Sequence, residues 1–221
     1  MKRLVYLTPL IFLCFLFSSC ATFHLEKRLK KLNPVIAEWY SYHSILMEMK
    51  IPKWIDERGG REKVHFLRLP QKLQVAYIGI FWKIRTEGAR EEYYNRMAVA
   101  NGSFTGEGKP GWRTDRGQVL LLCGFPTYII HYPIVGQGGE GSNIEGHRYE
   151  IWEYYQRGRL IRYAFKYQVP NEWRREFFIS FNMGGQNDFE RQCQKLFAPT
   201  EDGWDLWGGV LLQWVKENEI L

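Results

Sequence analysis

The sequence predicts an α+β fold: an N-terminal helical half packed on an antiparallel sheet, with a candidate C-terminal helix. Three observations predict it. Apolar residues recur at helical spacing before residue 100 and alternate at strand spacing after it. Clusters of Gly mark loops where the period changes. The 221 residues include 9 Trp, 13 Tyr and 14 Phe, an aromatic content that excludes wholesale disorder. The absence of a G-X-Y period and of a long heptad run excludes collagen-like and coiled-coil classes. There is no internal repeat. Helices followed by strands is the order expected of an α+β chain.

The first segment, residues 1–19, reads as a signal peptide. Lys2 and Arg3 form a positive start, and Leu4 to Phe17 is apolar apart from Thr8 and Pro9. That run is shorter than the about 20 apolar residues a membrane-spanning helix needs and suits a secretory signal core. It ends in Phe17-Ser18-Ser19-Cys20, which resembles the bacterial lipobox, where small residues precede a Cys that is lipidated and becomes the new N-terminus. Phe17 stands where Leu is usual. Cleavage there removes Lys2, Arg3 and Cys14 and leaves 28 basic against 24 acidic residues. The early cations Lys27, Arg28, Lys30 and Lys31 read first as a solvated helix face and second as a contact for anionic headgroups beside the anchor. Nucleic acid is not an expected partner. Cys123 and Cys193 would remain, and their spacing in sequence leaves open whether they pair.

Residues 20–60 form an N-terminal helical segment. Leu25, Leu29 and Leu32 are spaced for a short helix, and Asn33-Pro34 reads as an N-cap followed by Pro at the first helical position. Val35, Trp39, Tyr42, Leu46 and Met49 continue as the inward stripe. A domain is expected over 61–200. A short helix covers Glu62 to Leu69, and Pro70 opens the strongest one, with Leu73, Ala76, Tyr77, Ile80, Phe81 and Ile84 on one face. Ala89 to Ala100 follows, with Tyr93, Met97 and Ala100 inward. A Gly-rich loop leads to β runs at Gln118 to Cys123 and Thr127 to Tyr132, separated by the turn Gly124-Phe125-Pro126. Tyr149 to Tyr155 and Leu160 to Tyr167 flank a hairpin, and Glu176 to Phe181 reads as one more strand. In 201–221, Trp204, Trp207, Leu211, Trp214 and Val215 suggest a closing helix despite Gly208-Gly209.

Gly111-Trp112-Arg113-Thr114-Asp115 spells G-W-x-T-D. With it stand Phe66-Leu67-Arg68-Leu69-Pro70, Phe81-Trp82, Glu92 to Arg96, Ala100-Asn101, the Gly124 and Pro126 turn, and Tyr149-Glu150-Ile151-Trp152. This ordered set resembles the bacterial GWxTD-domain family from about Phe66 to Phe181. Thr127 departs from the family pattern, which carries an acidic residue after its turn prolines. The resemblance implies a domain and an envelope setting, and no activity.

Read from the residues, Gly111 permits a tight turn, Trp112 fills a groove between helices and sheet, and Thr114 and Asp115 cap backbone N–H groups. Arg116 needs a partner away from its neighbour Asp115, and Glu150 is a candidate. The alternative is that Asp115, Arg116 and Glu150 line a cleft and act on a ligand; Trp152, in the Y-E-x-W strand, is counted with the motif residues. Gly136-Gln137-Gly138-Gly139-Glu140-Gly141 fits a dinucleotide spacing but leads into a strand, so it reads as a hairpin loop. Gly108-Lys109 lacks the rest of a phosphate loop, since Ser103 and Pro110 stand where Gly and Ser or Thr are required. The five His show no metal-ligand spacing, and no nucleophile elbow is present. No cofactor or metal is expected. Two functional expectations follow. The first is a lipid-anchored envelope protein, at the outer membrane of a two-membrane bacterium because Ala21 follows Cys20, with a non-catalytic module that binds another protein. The second is an envelope hydrolase acting on glycan or peptide through Asp115 and Glu150. Aromatic stacking leaves a glycan as a further candidate partner.

Overall fold

Asn33 starts the first full helix as expected. Its side-chain oxygen accepts the N–H of Val35 at 3.0 Å, and Pro34 takes the first helical position. The computed structural model describes residues 27–132, 148–156, 158–168, 172–176 and 183–217. Cys20 and the signal segment, the 136–141 glycine run and residues 177–181 lie outside them. The described residues fall into two compact units: those up to Ile84 together with those from Thr200 onward, and Arg85–Pro199.

The first unit is helical. It contains α1 (Pro34–His43), a 3-10 turn (Ser44–Leu46), α2 (Glu62–Arg68), α3 (Gln71–Ile80) and α7 (Glu201–Glu217). A single helical turn at 27–29 precedes α1, and Arg28 donates from its guanidinium to the Leu67 carbonyl at 3.0 Å. The inward face of α1 is one residue away from the expected stripe. Ile36, Tyr40 and His43 are buried, while Val35 is 73% exposed. Apolar and aromatic residues stand nearly all around this helix, so period alone does not choose its face. On α3 and the turn beyond it, Leu73, Tyr77, Phe81 and Ile84 are buried as expected. The closing helix α7 runs through its glycines. Thr200 caps it by accepting the Gly203 N–H at 3.0 Å, and Trp204 and Trp207 enter the core. A Cβ at Gly208 would stand 2.7 Å from the Trp54 ring, so the missing side chain is a packing requirement.

The second unit contains α4 (Ala89–Ser103), a 3-10 turn (Gly111–Arg113), α5 (Asp115–Cys123), β1 (Tyr128–Tyr132), β2 (Tyr149–Gln156), β3 (Arg159–Gln168), β4 (Glu172–Glu176) and α6 (Met183–Lys195). Tyr93, Met97 and Ala100 of α4 are buried as expected. The strands form an antiparallel sheet in the order β1-β2-β3-β4. Trp152 pairs with Tyr163, Glu150 with Phe165 and His131, and Phe165 with Arg175, so these side chains share one face. Helix α5 packs on β4 and α6 on β3.

The expected strand over Gln118–Cys123 is the helix α5. Its apolar run is too short for periodicity to separate strand from helix. The start signal decides instead: Thr114 accepts the Gly117 N–H at 2.9 Å, and Asp115 lies in the first turn. The observed strand β4, Glu172–Glu176, shares only Glu176 with the strand expected over Glu176 to Phe181, whose other residues lie outside the described ones. Helix α6 was not expected from the sequence.

Candidate functional site

The G-W-x-T-D residues form the corner between α4 and α5. A Cβ at Gly111 would stand 2.0 Å from the Ala100 carbonyl oxygen, and one at Gly117 would stand 1.9 Å from the Gly111 carbonyl oxygen. Only glycine lets α4, the 3-10 turn and α5 stack backbone on backbone. Thr114 is fully buried, and its hydroxyl donates to the Gly111 carbonyl at 2.8 Å while capping α5. Trp112 is buried as expected. Its backbone N–H donates to Asn101 at 3.2 Å, and the Arg113 guanidinium lies 4.8 Å over its ring. The turn that carries Trp112 packs on α4 and α5. At the far end of α5, Arg96 donates to the carbonyls of Leu121 and Leu122 at 3.1 and 2.9 Å, satisfying helix-end acceptors.

Asp115 reaches the sheet. Its carboxylate accepts the backbone N–H of Arg175 on β4 at 2.8 Å. Glu107, in the loop before the motif, accepts the N–H of Trp173 at 3.2 Å. Strand β4 pairs with β3 on one side only among the described residues. The two acids therefore satisfy alternate donors of a sheet edge that would otherwise be open to another strand. Lys109 ties the same loop to Glu172 at 2.5 Å, and that hydrogen bond holds the Glu172 carboxyl below its usual range.

Arg116 sits between acids and rings. It donates to Glu107 at 2.8 Å and to Glu150 at 3.1 Å. Its guanidinium lies 4.7 Å from the Phe104 ring centre and 4.8 Å from that of Trp173. The side chains of Arg116, Glu107 and Glu150 are 11%, 2% and 7% exposed, so this is a buried charge cluster. Glu150 also accepts the Trp152 indole N–H at 2.6 Å, and exposed His131 lies 3.6 Å from its other oxygen. The structure thus brings Gly111, Trp112, Thr114 and Asp115 into one corner and joins Arg116, Glu150 and Trp152 in one bonded chain. Sequence reasoning missed Glu107, whose place in a glycine-rich loop carries no period or motif. Thr127, at the departure from the family pattern, accepts the Tyr155 N–H at 3.3 Å.

The helical unit holds a second constellation. A groove of about 940 Å³ is lined by Trp54, Ile55, Leu69, Leu211, Leu212 and Val215, with Asp56, Arg58, His65 and Arg68 in its wall. The Trp207 indole N–H donates to His65 Nε2 at 3.3 Å. An indole nitrogen can only donate, so Nε2 accepts and the ring proton sits on Nδ1, which donates to Asp56 at 3.2 Å. Burial pushes His65 below its usual range, against the opposing pull of Asp56. Burial also works to raise Asp56, but hydrogen bonds from His65 and Arg58 outweigh it and hold the carboxyl below the usual range. An Asp–His pair has no sequence signature at a separation of nine residues, so it was not anticipated. Among the described residues no group of three or more His, Cys, Asp or Glu could hold a metal ion. Among them, too, no helix is long and apolar enough to cross a membrane.

The second unit is thus an α+β module in which a helix-capping corner is bonded to a sheet edge and to a buried Arg–Glu cluster. The model of the GWxTD domain family matches residues 83–195, a little over half of the chain, and the chain belongs to that family. The match begins after Phe66–Pro70 and Phe81-Trp82 and extends through α6. No curated protein and no solved structure matches the chain.

Proposed function

We propose that this chain is a lipid-anchored protein of the bacterial cell envelope whose GWxTD domain is a non-catalytic binding or scaffold module for another protein. The observation that carries the non-catalytic part is how the motif uses its polar groups. Thr114 caps a helix, Asp115 holds a strand edge, and Arg116 and Glu150 bond each other and Trp152. Each is engaged with the fold rather than converging on a shared reacting position. A hydrolase built on Asp115 and Glu150 would have to release both carboxylates from these partners. The anchor rests on Lys2, Arg3, the apolar run and Cys20. Two or more acyl chains hold a protein on a membrane, where one binds marginally. Ala21 after the Cys favours the outer membrane in a two-membrane bacterium. The groove beside Trp54, itself 59% exposed, supports a binding role for the helical unit.

Mass spectrometry of the mature N-terminus, with a Cys20→Ser variant, tests the anchor. A mature chain with unmodified Cys20, or a Cys20→Ser protein that membranes retain through carbonate washing, overturns it. Incubation with muropeptides and with peptide substrates, alongside affinity purification from crosslinked envelopes, tests the module. Turnover that Asp115→Asn abolishes in a folded protein favours the hydrolase. A stable stoichiometric partner without turnover favours the binding module.

A further inference from the structure

We infer that Cys123 and Cys193 form an intramolecular disulfide that closes a chain loop containing all four described strands. The two residues are far apart in sequence, but α5 packs on α6, and Tyr154 joins their facing parts: its hydroxyl donates to the Gly124 carbonyl beside Cys123 at 3.0 Å, and its ring lies 5.0 Å from that of Phe189, one helical turn before Cys193. Their thiols are in hydrogen-bonding contact in the reduced form. Both residues are half-buried. They are the two cysteines among the described residues.

The surroundings make this pair structural rather than catalytic. Contact with Cys193, burial and the nearby Glu190 carboxylate all push the Cys123 thiol up, with a hydrogen bond from Tyr163 in opposition. Glu190 is itself held by Tyr163 at 3.1 Å and Arg175 at 2.6 Å. A reactive cysteine needs the reverse environment, electropositive and accessible, so that the thiolate persists near neutral pH. These thiols react while the chain is still open, or slowly once it is closed. The reaction is thiol–disulfide exchange with a disulfide donor. One thiol loses its proton and attacks the donor, expelling one donor thiolate and leaving a mixed disulfide. The second thiolate attacks the protein sulfur of that bond, forming Cys123–Cys193 and expelling the other donor thiolate. The protein loses two protons and two electrons, and the donor gains them. Formation in the cell rests on the envelope reading, because exported compartments supply such donors and the cytoplasm does not.

The test takes the full chain in detergent, reduces it, and exposes it to oxidised glutathione. The expected product joins the Cys123 peptide to the Cys193 peptide and melts several degrees above the reduced form. Cys123→Ser and Cys193→Ser, made separately, should each abolish both the linkage and the redox-dependent shift in Tm. A product that stops at glutathione adducts, or one that melts below the reduced form, overturns the inference. A second arm alkylates protein taken directly from cells. The Cys123–Cys193 link found there supports the disulfide in its native setting. Thiols found reduced when the cell protein is alkylated in denaturant, from a protein that closes cleanly with glutathione, sustain the pairing and count against the envelope reading instead.

Discussion

Arg116 and Asp56 are both charged groups set against aromatic side chains, but the two units treat them in opposite ways. Arg116 has carboxylates on two sides and rings on two others, and Glu107 and Glu150 spend their remaining oxygens on a strand N–H and an indole N–H. Asp56 instead lies in the wall of a groove. It bonds His65 inward and Arg58 outward, and the Arg58 side chain is 71% exposed. One cluster is closed by its own fold, and the other keeps a solvated side. A motif in the sequence therefore need not lie in the more open of two polar constellations. The G-W-x-T-D residues are spent on building the domain, and the more open constellation carries no motif.

The largest expected effect breaks the closed cluster. Arg116→Ala leaves two buried carboxylates without their common cation and should destabilise the protein by about 3–5 kcal/mol. Denaturant unfolding measures it, and a loss below about 1 kcal/mol would show that water reaches the cluster and that it is not closed. Trp112→Ala should cost a similar about 3–5 kcal/mol as a large-to-small core change. A variant that melts like the wild type but loses a partner would recast Trp112 as a recognition residue.

Gly117→Ala sharpens the backbone part of the comparison. Its Cβ would meet the Gly111 carbonyl at 1.9 Å, so one methyl should cost about 3 kcal/mol, near the top of the range for overpacking. Gly209→Ala is the control, because nothing stands within 4 Å of that Cβ, and it should be neutral or mildly stabilising. Equal melting temperatures for the two variants would remove the close-approach account. Asp115→Ala, losing one acceptor for the Arg175 N–H, should cost about 1–2 kcal/mol. Amide exchange should quicken at Arg175 before it does in β2, and uniform protection across the sheet would contradict the edge-holding role.

The smallest effect concerns the groove and is a matter of pH. His65 is held below its unfolded value, so the unfolded chain takes up this proton first. Its contribution to stability is complete above about pH 6.5 and is lost as pH falls toward the folded value. Asp56, also held low, adds a second loss that begins as pH falls below about 4. His65→Gln should lower Tm at pH 7 while flattening the slope of Tm between pH 7 and 5. A slope unchanged by the substitution would mean that His65 does not titrate with unfolding.

Much of the framework was legible because local signals carried it. Asn33-Pro34 announced α1, the stripe from Leu73 to Ile84 gave the buried face of α3, and alternation gave the hairpin of β2 and β3. Arg116 with Glu150 and a buried Trp112 also followed from chemistry at known positions. The misreadings came where local signals were weak or divided. Val119 to Leu122 fits a strand or a helix, and the cap at Thr114 outweighed the apolar run. On α1 the aromatic residues lie on both sides, so packing against the rest of the helical unit selected Ile36 and Tyr40 over Val35. Helix α6 offers few apolar positions in its first turns and gave no stripe to read.

The sequence by itself determined the α+β class, the order of most elements, the family through the G-W-x-T-D motif and the ordered features around it, and the expectation of a lipid anchor at Cys20. These depend on neighbours along the chain, whose effects a sequence displays directly. Only the tertiary structure decided that Asp115 and Glu107 guard one strand edge, that His65 lies between Asp56 and Trp207, and that Cys123 meets Cys193. Each of these contacts joins residues from separate elements. Their distances are set by how whole helices and strands pack, and spacing along the chain carries no record of that.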